Sequence, residues 1–261
     1  MILEARNVFF AYDRDVEGSA EGAVHDVSVA LGIGEVIALT GPNGSGKSTL
    51  LKLLARVLKQ QKGEIVLDGK SLQDWSPRDY ARHVAYLPQD PEPAFPMIAL
   101  DVVVSGRAPF LGRFEWEGTE DFAEAERALE LCDATHLSGR FLDEMSGGER
   151  KRVFLARVLA ARPQVILLDE PLASLDVAHV QQFSALLRQI VPRTGATVLY
   201  ATHDLNWAAA YSDRMLVMQH GSLALDGPPS VVMTEDVVAR LFGFNARSIE
   251  SDGQRWLIPR R

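Results

Sequence analysis

The chain has 261 residues, enough for one large or two small domains around a sizeable buried core. With 47% hydrophobic and 24% charged residues it has the composition of a globular protein, which excludes a disordered chain. A formal net charge of −8 argues against a broad electrostatic grip on DNA or RNA, and a single cysteine, Cys132, excludes an internal disulfide and a cysteine-based zinc site. Charged Glu4 and Arg6 interrupt the apolar N-terminal stretch, so it does not read as a signal peptide. No apolar run approaches the ~20 residues of a membrane span, so a membrane role must come through a partner. A cytosolic compartment is expected.

In chain order, residues 2–10 and 24–31 carry apolar side chains at near-alternate positions and predict strands. Between them, residues 13–22 are rich in Asp, Glu, Gly and Ser and predict a mobile loop. Residues 36–40 predict a short apolar strand, residues 41–46 a glycine loop, and residues 47–58 a helix, with Leu50, Leu51, Leu54, Val57 and Leu58 at helical spacing. Residues 63–69 predict a strand ending in an Asp-Gly turn. Three prolines within 90–96 predict a hinge-like linker. Residues 99–142 then read as helical, most clearly at 122–132, and 149–161 as a further helix after Ser146-Gly147-Gly148. The last third alternates, with strands expected at 165–168, 197–201 and 215–218 and helices at 177–191 and 205–212, the pattern of an α/β domain with a mainly parallel sheet. Residues 228–261 open on Pro228-Pro229 and are expected to form a small appendage.

Gly41-Pro42-Asn43-Gly44-Ser45-Gly46-Lys47-Ser48 matches the phosphate-loop pattern at every fixed position, between an expected strand and an expected helix. Glycines let the backbone curl so that successive N–H groups face phosphate oxygens, and the helix adds the positive end of its dipole. The Lys47 ammonium can reach the β- and γ-phosphates, the Ser48 hydroxyl can ligate Mg²⁺, and Thr49 follows it in the nucleotide-binding set. Asp169-Glu170 emerges from the apolar run 165–168 at a strand's carboxyl end, where open α/β sheets bind ligands. Asp169 can hold Mg²⁺, and Glu170 can orient or deprotonate an attacking water. Taken singly, this pair could merely cap the next helix.

A phosphate loop alone does not separate a GTPase, a nucleotide kinase, a helicase and a transporter ATPase. No Asn-Lys-x-Asp segment that would read guanine is present. Ser146-Gly147-Gly148-Glu149, about 20 residues before Asp169, decides the matter: the set resembles the ATP-binding cassette (ABC) family over almost the whole chain to about Gly227. The resemblance implies that Tyr12 stacks on adenine, that Gln89 senses Mg²⁺ and the γ-phosphate, that residues 146–149 form the signature motif, that Ser174-Leu175-Asp176 crosses a dimer interface, and that His203 holds the γ-phosphate. Alone, Tyr12 could simply pack and His203 could be a cap or a core histidine. Met145, Arg150 and Leu172 depart modestly from the family pattern.

The resemblance also implies the fold: a phosphate-loop NTPase with a RecA-like α/β core (1–89 and 161–227), an antiparallel β element, an inserted α-helical subdomain (90–160) and a C-terminal appendage (228–261). Within the family, Tyr86-Leu87-Pro88-Gln89, Phe95-Pro96, the Gly106-Arg107-Ala108-Pro109 segment, Leu111-Gly112-Arg113-Phe114 and His203-Asp204-Leu205-Asn206 resemble import ATPases for iron chelates, haem and vitamin B12. The expected protein is thus an ATP- and Mg²⁺-dependent ATPase. It is expected to act as a homodimer on integral-membrane permease subunits at the cytoplasmic face of the inner membrane, linked indirectly to a periplasmic or lipoprotein substrate-binding protein, with no nucleic acid. A soluble cassette acting on nucleic acid or ribosomes, or an export ATPase, are the alternatives. The 99 residues from Lys47 to Ser146 hold no sustained heptads, which disfavours the chromosome-type cassettes.

Overall fold

Alternate apolar positions put Leu3, Ala5 and Val8 of β1 (Leu3–Phe10) and Val24, Val27, Val29 and Leu31 of β2 (Val24–Leu31) in the core of the computed structural model, which describes residues 2–12, 23–91, 95–251 and 253–260. The expected loop at 13–22, and residues 92–94 of the expected linker, lie outside the described residues. Then come β3 (Val36–Thr40), α1 (Lys47–Leu54), β4 (Lys62–Leu67), β5 (Lys70–Ser71), α2 (Pro77–His83) and β6 (Val84–Leu87). Helices α3 (Ala99–Val104), α4 (Thr119–Leu131) and α5 (Gly147–Ala160) follow. The chain closes with β7 (Val165–Leu168), α6 (Val177–Thr194), β8 (Thr197–Ala201), α7 (Leu205–Tyr211), β9 (Arg214–Gln219), β10 (Ser222–Gly227), α8 (Pro229–Val232), α9 (Glu235–Phe242), β11 (Ala246–Ser251) and β12 (Gln254–Pro259).

The main sheet has the order β10-β9-β3-β8-β7-β6, parallel except for β10 at its edge. Every residue of β3, β7 and β8 is buried, as in parallel strands covered on both faces. Alternation along these strands divides the core in two. Ile37, Leu39, Val165, Leu167, Leu199 and Ala201 face α1 and the antiparallel sheet β2-β1-β4-β5. Val36, Ala38, Ile166, Leu168, Val198 and Tyr200 share the second core with α3, α4, α5 and α6. The α/β architecture with an antiparallel element is therefore present, and both sheets bring their loops toward the start of α1.

Several elements differ from the periodicity-based expectation. Helix α1 stops at Leu54, not at residue 58. Arg56 adopts φ 59°, and the N–H groups of Val57 and Leu58 fold back on the Lys52 carbonyl, leaving Val57 exposed. The stretch 99–142 is not one helical run: Pro109 sits in a 3₁₀ segment after α3, and α4 starts only at Thr119. Helix α5 begins two residues earlier than expected, because Ser146 caps it. Beyond residue 228, Val232, Met233, Val238, Leu241, Ala246 and Leu257 enter the second core.

Candidate nucleotide site

Strand β3 ends directly below the glycine loop. Gly41 (φ 142°) and Gly46 (φ 100°) take left-handed backbone, and a Cβ at either would collide with a neighbouring carbonyl, Met218 O or Ala23 O. A Cβ on Gly44 (φ 76°) would meet open space, so that glycine answers to conformation alone. Lys47 is buried, and its Nζ donates to the Gly41 (2.8 Å) and Pro42 (3.0 Å) carbonyls, cross-linking the loop. Burial pushes its ammonium below the usual lysine value, opposed by Glu170 and Asp169. The buried Ser45 Oγ has no hydrogen-bond partner among the described residues.

The structure joins the two halves of the site. Ser48 Oγ donates to Asp169 Oδ1 at 2.8 Å, and Tyr86 OH donates to Asp169 Oδ2 at 3.1 Å. Burial first, then the Asp169 charge, push the Tyr86 phenol up, so it stays a donor. Sequence reasoning gave Tyr86 no role in the site. Its signal is its place one residue before the end of β6, beside β7. Glu170 adopts φ 47°, an uncommon conformation for a non-glycine residue at the strand end, and its Oε2 lies 3.7 Å from His203 Nδ1. Gln89, Glu170, His203 and Trp207 line one cleft of about 440 Å³. The Gln89 carbonyl accepts from Lys151 Nζ at 2.9 Å. Tyr12 leans on the first turn of α1, its OH 3.3 Å from Thr49 Oγ1 and its ring edge-on to Phe10, with half of its surface exposed.

Residues 146–149 open α5, and Gly147 lines a cleft of about 190 Å³ with Gln89 and Ser174. Ser146 and Glu149 make a reciprocal cap on α5: Ser146 N and Oγ each donate to Glu149 Oε2 at 2.8 Å, and Glu149 N donates back to Ser146 Oγ at 3.3 Å. Arg140 Nη1 also reaches Glu149 Oε1 at 3.2 Å. The bond from Ser146 N is the largest cause holding the Glu149 carboxyl below its usual value. Asp176 caps α6 and accepts from both His179 N (2.9 Å) and His179 Nδ1 (2.8 Å). The His179 ring lies against Gly148, where a Cβ would collide with it. His179 thus ties the signature segment to Asp176, a link that a lone histidine three residues after a capping aspartate did not announce.

Arg107 is a structural residue. It is buried, its Nε bonds Asp121 Oδ1 at 2.9 Å, its Nη1 bonds the Ala160 carbonyl at 3.0 Å, and its guanidinium lies 3.9 Å over the Phe110 ring. Nearby, Arg113 is exposed, and Phe114 and Trp116 are 90% and 89% exposed.

For Mg²⁺ the fit is good. No group of three or more His, Cys, Asp or Glu residues among the described residues forms a metal cage. Mg²⁺ instead prefers one or two hard protein oxygens with water and phosphate filling the rest, which is what the Ser48–Asp169 pair offers.

A parallel sheet, a glycine loop opening a helix with a buried lysine at its start, and a hydroxyl–carboxylate pair across to β7 define a phosphate-loop nucleoside triphosphatase. The family model for ABC transporters matches residues 24–173. The chain belongs to the ABC transporter family, as one of its ATP-hydrolysing domains. It is 45% identical to the hemin import ATP-binding protein HmuV of Nocardia farcinica, over 88% of this chain and 78% of that protein. It is 35% identical to the petrobactin import ATP-binding protein FpuC of Bacillus anthracis, over 100% and 93%. Among solved structures it superposes with TM-score 0.84 on a chain described as a metal-chelate type ABC transporter in an inward-facing conformation (25% identity, 100% and 97% covered). A dimeric ATP-binding cassette in a post-hydrolysis state with ADP and phosphate gives TM-score 0.74 (25% identity, 87% and 99% covered). No helix among the described residues is long and apolar enough to cross a membrane.

Proposed function

We propose that this ATPase drives import of an iron chelate or haem, as a homodimer seated on two permease chains at the cytoplasmic face of the membrane, with a substrate-binding protein engaging the permease from outside. Relatives that import hemin and petrobactin support the cargo class, and the dimeric cassette supports the assembly. The observation that carries the hydrolytic reading is the Ser48–Asp169–Tyr86 chain of hydrogen bonds, with the next residue, Glu170, 3.7 Å from His203.

Lys47 exchanges its loop carbonyls for the β- and γ-phosphates of ATP, and the loop N–H groups surround them. Tyr12 lies beside Thr49 at the start of α1, where it can stack on the adenine. Ser48 and Asp169, joined by a hydrogen bond, would hold Mg²⁺ together with Gln89, and the ion would neutralise charge on the phosphate oxygens. Glu170 orients a water in line with the γ-phosphorus and takes its proton. The water oxygen forms the new P–O bond as the bond to the β–γ bridging oxygen breaks, leaving ADP and phosphate. His203 donates to a γ-phosphate oxygen and stabilises the charge that develops there.

The N-terminus of α5, opened by Ser146, Gly147 and Gly148, supplies the second half of each site in the partner subunit, where its dipole end and donors meet the opposite ATP. The inserted helices, with Phe114 and Trp116 exposed between α3 and α4, offer the docking surface for the permease.

The test is stepwise. Glu170→Gln slows hydrolysis by about 10²–10⁴ while ATP still binds, a barrier increase of roughly 2.7–5.4 kcal/mol. In that background ATP yields a dimer by size-exclusion chromatography, and adding Ser146→Arg blocks it without altering ATP binding by the monomer. Lys47→Ala removes both ATP binding and turnover. A Glu170→Gln chain that loses ATP binding, or a double variant that still dimerises, would overturn the assignment of these residues.

A further inference from the structure

The C-terminal hairpin β11–β12 is held at both of its edges. Ser248 and Leu257 face one another in its register, and both turn their backbone groups outward. On one edge Ser248 N donates to Glu235 Oε1 at 3.1 Å, and Arg260 Nη2 bonds Glu235 Oε2 at 2.9 Å, fixing the hairpin to the start of α9. On the other edge the Asn206 side chain takes the place of a neighbouring strand. Its Oδ1 accepts from Leu257 N at 2.8 Å and its Nδ2 donates to Leu257 O at 3.2 Å. Leu257 is also buried in the second core, so the clamp has a fixed base.

Asn206 is the second residue of α7, and His203 lies just before the Asp204 cap of that helix. His203, Asp204, Leu205 and Asn206 share a cleft of about 280 Å³ with Phe244 and Pro259 from the two ends of the hairpin region. Helix α7 has only seven residues, too few to be stable without tertiary contacts. Its first turn is held from inside by Leu205 and Ala208 and by the Asp204–Trp207 cap, and from outside by Asn206. The His203 side chain is 65% exposed, and its sole ion-pair partner among the described residues is Glu170, so its placement depends on this turn.

We propose that the C-terminal hairpin is a positioning element of the hydrolytic site: the Asn206–Leu257 clamp fixes the first turn of α7 and thereby sets His203 against Glu170 and the γ-phosphate. This rests on the role given to His203 above. Asn206 is a positioning residue, since both polar atoms of its side chain are taken up by the Leu257 backbone and it acts only through the turn that carries His203. A misplacement of about 1 Å in a catalytic group can cost up to about 10²-fold in rate, and partial loosening of one turn is expected to cost about tenfold.

The experiment is a double-mutant cycle on the full chain, with kcat and KM for ATP and a thermal melt for each variant. Asn206→Ala is expected to lower kcat about tenfold with KM within about twofold, and to cost nothing further in a His203→Ala background. Glu235→Ala loosens the opposite edge of the same hairpin. It is expected to give a smaller kcat loss that likewise vanishes in the His203→Ala background, and it stands in if Asn206→Ala does not fold. A loss that persists undiminished beside His203→Ala, or an unchanged kcat in Asn206→Ala, overturns the proposal. Wild-type kcat in His203→Ala alone would instead remove the histidine's role, and the proposal with it, a result distinct from failure of the clamp.

Discussion

Gly148→Ala is informative because two opposed effects meet at one atom. In a helix an alanine is favoured over glycine by about 0.5–1 kcal/mol, so on propensity alone the variant gains stability. The added Cβ, however, would fall on His179 Cδ2 and stand 3.1 Å from Cγ and Nε2, inside the ~3.5 Å approach of non-bonded carbons. The ring must swing by about 1 Å, which breaks its 2.8 Å bond to Asp176. Losing that bond costs about 0.5–1.5 kcal/mol and a strained χ angle about as much again. After the propensity gain, Gly148→Ala should destabilise by about 0.5–2 kcal/mol, a fall of a few degrees in Tm for a chain of this size. Adding His179→Ala empties the space, so the double variant should melt at or above the His179→Ala single variant. Thermal and urea denaturation of the four proteins read this reversal of sign directly. A Gly148→Ala chain that melts above wild type would refute the contact between the signature segment and α6.

Three further outcomes follow from residues 107–114 and from the capped helix α5. Arg107→Glu removes one partner of a buried pair and sets two carboxylates together, and is expected to cost about 3–5 kcal/mol. Arg113→Glu with Phe114→Ala should leave the melt and the ATPase of the isolated subunit unchanged while transport in reconstituted vesicles falls about tenfold or more; equal melts for the two sets would contradict the burial of Arg107. Hydrogen bonds from Ser146 hold the Glu149 carboxyl below its usual value, so the folded state binds that proton more weakly than the unfolded chain. The cap's contribution is therefore present above the ordinary glutamate value of about 4.3 and lost as pH falls through the lowered one, and Glu149→Gln should flatten the acid limb of the stability profile. An unaltered acid limb in that variant would exclude the cap as its source.

The phosphate loop was legible because its constraints are local: a curled backbone leaves no room for a side chain at Gly41 or Gly46. Strands β3, β7 and β8 were legible for a related reason, since burial on both faces demands unbroken apolar runs. What escaped depends on register between distant segments. Tyr86 reaches Asp169 because β6 lies beside β7, and nothing within four residues of either predicts it. Periodicity carried α1 past Leu54 because Val57 and Leu58 continue the apolar spacing, whereas the left-handed Arg56 ends the helix. The Gly106-Arg107-Ala108-Pro109 segment read as a feature of one transporter group, which left a docking role and a structural role for Arg107 both open. The structure favours the second: its side chain fills the space between α4 and the end of α5, with Gly106 pressed against the Arg157 carbonyl. The C-terminal strands carry mixed polar residues, because one face of that hairpin remains in solvent.

The strand order has a consequence for synthesis on the ribosome. The antiparallel sheet β2-β1-β4-β5 is complete by Ser71 and can form as soon as it emerges. Strand β3 lies within that stretch, yet both of its partners, β8 and β9, begin roughly 160 residues or more downstream. At about 5–20 residues per second, the segment Val36–Thr40, apolar but for its last residue, waits on the order of ten seconds or longer with both hydrogen-bonding edges open. During that interval the nascent chain carries an aggregation-prone strand beside a phosphate loop that has no β7 to face. Nucleotide binding therefore belongs to the last stage of folding, and chaperone dependence should be greatest for chains stalled between residues 71 and 197.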